Sequence, residues 1–216
     1  MQGEKDLAVA DKTIDPRILS SARKEFLEKG FEKASCKDIC MHAGVTTGAL
    51  YKRYAGKEEL FTAVVQHTVE DLNRIVEEKS RMSPEGLTDQ QLIDAWYMDE
   101  DYMLWWFDYL YQRYDDFVLL LSGSAGSGYW NFAHSWVEKM NQATYAYYEE
   151  AYRRGIVKIF VSKEEMHVLI TSFWSGIYEP FIHGMDWEQI KNHCKIVCRF
   201  FDWHGALQFG PPGEKE

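Results

Sequence analysis

The chain has 216 residues with a net charge of −10, and 46% of them are hydrophobic, which supplies a folded core and excludes a disordered acidic tail. The longest apolar runs, Met103 to Phe107 and Phe117 to Leu121, fall far short of a membrane span, and the charged amino-terminal dozen residues lack the apolar stretch of a secretory signal, so a cytoplasmic location without membrane contact is expected. Four cysteines in a chain of this length do not make a disulfide scaffold.

The chain reads as all helix, punctuated by glycine and proline, with no run of alternating strand pattern. In the first element Asp15 reads as cap and Pro16 as the first helical position, with Ile18, Ala22 and Phe26 on one face and Gly30 at the end. Ser35 followed by Asp38 matches a capping box, Ile39 and Ala43 give the second helix an inner face, and Gly44 ends it. Val45 follows as an apolar plug, and Thr46 can cap a third short helix that turns Ala49 and Leu50 inward. Its other side carries Thr47, Gly48, Tyr51, Lys52 and Arg53, small, hydroxylated or basic residues of the kinds that approach base edges and phosphates. Between Lys33 and Lys57 five basic residues, Lys37 among them, meet one acid, Asp38. Residues 61 to 216, by contrast, hold 13 basic and 24 acidic residues and sum to −11, so the acidity belongs to the part that does not face phosphate.

At these positions the run GVTTGALYKRYAGKEELF resembles the DNA-binding signature of the tetracycline-repressor (TetR) family of bacterial transcriptional regulators. The turn glycine, the Gly-Ala-Leu-Tyr run, an aromatic at Tyr54 and the Lys57-Glu58-Glu59-Leu60-Phe61 helix opening fall in the family's order and spacing, over roughly residues 14 to 62. Tyr54 stands where phenylalanine is commoner and Cys40 where alanine is usual. The resemblance implies an all-α fold. A three-helix helix-turn-helix domain would span residues 1–56, a larger helical effector-binding and dimerisation domain residues 57–210, with 57–79 as connecting helix, and a tail residues 211–216. It further implies a homodimer that sets two reading helices on a double-stranded, palindromic DNA operator and is released by a small-molecule effector. Ser35 and Thr46 would hold phosphate at helix starts, Tyr51 and Lys57 match positions that usually do so, and Thr47, Gly48 and Arg53 would lie nearest the base edges. No nucleophile elbow, phosphate-cradling loop or paired acid and base points to an enzyme, and no cofactor is expected.

From Lys57 the connector runs through Leu60, Val64, Thr68, Leu72 and Ile75, and would extend roughly 30 Å. Residues 96 to 114 then hold nine aromatic side chains in nineteen positions, within which a helix from about Glu100 to Arg113 would be apolar on most sides. A flexible Gly123 to Gly128 connection leads to a helix from about Tyr129 to Arg154, so that two aromatic-rich helices face each other. Most of their rings read as bulky core, and some as the walls of a ligand cavity, for which Trp105, Tyr109, His134 and Trp136 are the candidates. The acids Asp99, Glu100, Asp101 and Asp108 bias such a cavity toward an aromatic or cationic ligand.

Ser162 with Glu165 opens a further helix with a stripe of Met166, Ile170, Phe173 and Ile177. After Gly184 and the Asp186 cap, a last stripe runs Trp187, Ile190, Cys194, Val197, Phe201 and His204. Monomer core and dimer seam both satisfy that spacing, and the resemblance assigns the stripes in part to a four-helix dimer bundle. Cys36 with Cys40 and Cys194 with Cys198, near His42 and His193, read as buried small hydrophobes. They also carry the alternative of a regulator controlled by a thiol or metal switch, or by a partner protein.

Overall fold

The first helix owes its shape to one glycine. The computed structural model describes residues 14–210, so the expectations for the first 13 residues and for the 211–216 tail lie outside the described residues. Helix α1 (Ile14–Lys33) begins one residue before Asp15, which therefore sits inside the first turn instead of capping it. Gly30, at φ 71° and ψ 167°, breaks the helical path, and a final turn swings Phe31 onto Phe26 and Phe61, with ring centroids 6.1 and 5.3 Å away.

Helices α2 (Cys36–Ala43) and α3 (Thr47–Tyr51) flank the expected turn, where Gly44 takes a left-handed φ of 64° and its N–H donates to the end of α2. Ser35 Oγ accepts the Asp38 N–H at 3.2 Å, half of the expected capping box. The other half comes from α1: the Ser35 N–H donates to the buried Glu25 carboxylate at 3.1 Å, and Lys29 ties Glu25 to Asp38.

Helix α4 (Lys57–Arg81) is a single rod of 25 residues, about 37 Å long. A short 3-10 turn (Pro84–Gly86) leads to α5 (Asp89–Asp94), α6 (Glu100–Tyr111) and α7 (Tyr114–Val118), which continues into a π-helical turn (Leu119–Gly123). Four more helices complete the described chain, α8 (Phe132–Arg153), α9 (Lys163–Ile182), α10 (Trp187–Phe200) and α11 (Trp203–Leu207). Among the described residues the only strand-like pairing is an isolated bridge between Val157 and Phe209, and no helix is long and apolar enough to cross a membrane.

Two cores result, and their border is not at residue 57. The first joins Ile18, Phe26, Ile39 and Leu50 to Leu60 and Phe61 of α4 and to Leu119 and Leu120 of the π-helical turn. The Gly123 to Gly128 connection is correspondingly fixed and not slack. The Gly128 N–H donates to Glu58 Oε1 at 2.8 Å, and at Gly126, with φ 83°, a Cβ would come 2.6 Å from Glu32 Cγ. Between the cores, Arg23 of α1 pairs with Asp116 of α7 at 2.7 Å, and Thr68 of α4 donates to the same carboxylate.

The second core corrects the pairing expected of the aromatic helices. Helix α6 packs chiefly against α10, with Cys194 Sγ 3.8 Å from the Glu100 carbonyl and the Phe107 ring edge-on to His193. Its ring contact with α8 is Trp106, 6.5 Å from Trp136, with Trp174 of α9 against both. The stripes expected at a dimer seam are consumed here. Met166, Ile170, Phe173, Ile177, Ile190, Cys194 and Val197 are buried within the single chain, and Phe201 packs on Phe173 and Trp203. The 3-4 spacing of the buried residues faces α6 and α8 of the same chain, which leaves them no surface for a partner, while Phe201 stays partly exposed.

Candidate nucleic-acid interface and effector cavity

The outer surface of α2 and α3 is built from the inside. Ile39, Cys40, Ala43 and Leu50 are buried and fix the two helices on α1, where Ser21 Oγ donates to the Ile39 carbonyl at 2.9 Å. Thr46 Oγ1 accepts the Ala49 N–H at 3.1 Å and sets the start of α3. What remains outside is Lys37, Thr46, Thr47, Gly48, Tyr51 and Lys52, all exposed, with Ser35 half-buried at the edge. The chain also exposes Met41 and His42 on α2, which the sequence reading did not select.

Gly48 is informative because the fold does not need it. It has an ordinary helical backbone, and a Cβ there would meet only Thr46 Oγ1, at 3.9 Å. The missing side chain keeps this strip of α3 low, as close approach of another surface requires. Tyr51 stands beside it, with a hydroxyl held above its usual pKa by the neighbouring Cys36 thiol and so available as a donor.

Two expected contact residues have other tasks. Arg53 pairs with Asp15 and donates to the Ala49 carbonyl at 3.1 Å, which locks α3 to α1 instead of aiming the guanidinium outward. Lys57 Nζ donates to the carbonyls of Glu32 and Ala34 at 2.9 and 3.2 Å and lies 4.8 Å from the Phe31 ring centroid, so it satisfies the end of α1. Both have one cause: apart from the Ala49 carbonyl, the acceptors are carbonyls and a carboxylate far off in sequence.

In the second core the four expected cavity walls do not converge. Trp105 is about half exposed and stacks between Tyr102 and Tyr109 along the outside of α6, with Arg113 over Tyr109. His134 is exposed on α8, and Trp136 is buried against Trp174. Enclosed space lies in a cavity of about 30 Å³ walled by Trp96, Trp106, Phe173, Trp174 and Trp203, and in a smaller one of about 10 Å³ beside Trp136. Lys79, from the last turn of α4, lines both the larger cavity and an adjoining open groove of about 550 Å³ between α4, the 3-10 turn and α8. A lysine on the connector's apolar stripe, following Leu72 and Val76 at helical spacing, was the sequence signal for this place.

The thiols are poorly placed as switches. Burial raises Cys40, and it pushes Cys194 up to about 12, away from thiolate chemistry. Among the described residues no three His, Cys, Asp or Glu side chains converge as metal ligands.

Residues 18–64 match the model of bacterial regulatory proteins of the tetR family. Over that segment the chain carries a DNA-binding domain of the TetR type. Over 49 residues it is 43% identical to the HTH-type transcriptional regulator UidR of Escherichia coli K12, which is 23% of this chain and spans only a quarter of that regulator's length. The overall fold is shared more widely. The TetR family transcriptional regulator PfmR of Thermus thermophilus superposes with a TM-score of 0.58 at 18% identity, over 93% of this chain and 100% of that one. FadR of Bacillus subtilis, solved with stearoyl-CoA, gives 0.54 at 12% identity, over 86% and 96%. At those identities the likeness is one of architecture alone.

Proposed function

We propose that the protein is a ligand-responsive transcriptional regulator, a repressor that binds a palindromic operator as a homodimer in the cytoplasm and leaves it when a small molecule enters the second core. The observation that carries this reading is the continuity of α4. Its first turns, with Leu60 and Phe61, are part of the core beneath the reading helix, and its last turn, with Lys79, is a wall of the cavity and of the groove. A rigid rod shared by both sites transmits a tilt at one end to the other, and Arg23 and Thr68 on Asp116 hold the two cores in one arrangement. A ligand shifts that arrangement only by binding one state more tightly, and a hundredfold loss of operator affinity needs about 2.7 kcal/mol of such preference.

Exposed Thr47, Gly48, Tyr51 and Lys52 form the surface offered to the major groove, with Lys37 and Thr46 beside the phosphates. The test is selection of DNA fragments by the purified protein, followed by sequencing and by a screen for compounds that release the recovered fragment. Recovery of a palindrome whose release a compound triggers supports the reading. Fragments without sequence preference, or none retained, overturn it.

A further inference from the structure

The groove is basic although the second domain is acidic. Residues 61 to 216 sum to −11, yet the groove is lined by Lys79, Arg81 and Lys139 against one carboxylate, Glu85. Of the three cations, Lys79 lies deepest. It lies over the Tyr147 ring, 5.6 Å from its centroid, and meets no carboxylate, while burial alone draws its pKa down to about 8. Lys79 is half-buried, and an ammonium drawn partly out of water without a counter-ion lowers stability unless something else uses it. A buried donor without an acceptor is its neighbour. Trp96 is 2% exposed, lines the same cavity as Lys79, and its Nε1–H has no acceptor. A cation without a carboxylate and a donor without an acceptor therefore border one ring-lined space.

We infer that this site takes a small aromatic carboxylate, its anionic group on Lys79 in the groove and its ring among Trp106, Phe173, Trp174 and Trp203, where a second acceptor on the ligand can reach Trp96. The assignment reverses the cationic ligand that the acids of α6 suggest, because those acids lie outside the cavity wall while a lysine is part of it. The cavity of about 30 Å³ has room for a water but not for a ring, so even one ring must part α4 from α6, α8 and α9. That parting is the movement which the ligand-responsive reading requires, and the inference rests on that reading for its regulatory meaning. The groove wall is pre-set for it: Arg154 donates to the carbonyls of Glu85 and Leu87 at 3.0 and 2.7 Å and holds the 3-10 turn in place.

The experiment uses the full chain and two matched pairs, phenylacetate with phenethylamine and indole-3-acetate with tryptamine, followed by calorimetry and tryptophan quenching. At least one acid should bind at sub-millimolar concentration and at least tenfold more tightly than its amine. Lys79→Met should weaken the acid at least tenfold without lowering the melting temperature, Lys79→Arg should restore most of it, and Trp96→Phe should leave folding intact while weakening the acid. Equal or tighter binding of the amines, or acid binding unchanged in Lys79→Met, overturns the inference. Operator release is read separately on the selected fragment. Acids that bind without releasing DNA overturn the ligand-responsive reading and leave the site standing, whereas release by a non-acid in a protein that ignores both acids overturns the site and leaves the reading.

Discussion

Gly48 and Lys57 show how differently two residues of one signature act. Gly48 lies in α3 with open space where a Cβ would stand, so Gly48→Ala is expected to raise stability by roughly 0.5–1 kcal/mol, the helical advantage of alanine. The same methyl group would hold a DNA surface away, and operator affinity should fall. Lys57→Ala is expected to do the reverse in kind, lowering stability by about 1–2 kcal/mol through the loss of two charge-assisted hydrogen bonds to α1 carbonyls. Urea unfolding and operator titration of both variants check the pair. If Gly48→Ala binds DNA as tightly as the parent, the close-approach argument for α3 fails. If Lys57→Ala unfolds at the parent's urea midpoint, the capping role fails.

At the scale of elements, the groove wall depends on an ion cluster at the end of α8. Glu150 is bonded by Arg153 at 2.6 Å and by Arg154 at 2.6 Å, and Arg154 reaches on to Asp89 of α5. The hydrogen bonds from Arg153, then those from Arg154, lower the Glu150 pKa from an ordinary 4.5 to about 2. A depressed carboxylate stabilises the fold fully above its unfolded value, and that contribution is lost as pH falls from about 4.5 towards about 2. Melting temperature should therefore fall through that window, and the fall should be shallower in Glu150→Gln, a comparison that scanning calorimetry makes directly. An identical pH profile in the variant would remove Glu150 from the account.

The caps among these elements were legible beforehand, since Ser35, Thr46, Ser162 and Asp186 each accept an N–H three residues on. The turn at Gly44 was legible for the same local reason. What sequence could not assign were long-range partners. Arg53 and Lys57 looked free because Asp15 and the Glu32 and Ala34 carbonyls come near only after α1 bends at Gly30. Rings were counted correctly as core material, but only packing shows that Trp105 faces outward and that Trp96 is left without an acceptor.

For the whole molecule, the proposed homodimer needs a surface that joins two copies, and the filled stripes cannot supply it. With Ile190, Cys194 and Val197 turned into α6, the opposite face of α10 carries Ile196 at 60% and Phe200 at 82% exposure, and α9 leaves Val168 at 60%. Large apolar side chains in such positions raise the free energy of an isolated chain in water and are covered in a stable assembly. A seam formed by the outer faces of α9 and α10 would cover them and set the distance between two reading helices. Phe200→Asp should then give monomers at micromolar concentration with little change in melting temperature, because the side chain has almost no contact to lose inside its own chain. Palindrome affinity should fall steeply, since one reading unit alone makes half of the contacts. Phe201→Asp is the contrasting case. Its ring is half-buried and packs on Phe173 at 5.3 Å and on Trp203 at 6.1 Å, so a charge there should destabilise the second core before it affects association. Sedimentation of the two variants separates the effects, and a dimeric Phe200→Asp that binds the palindrome as tightly as the parent would move the seam to another face.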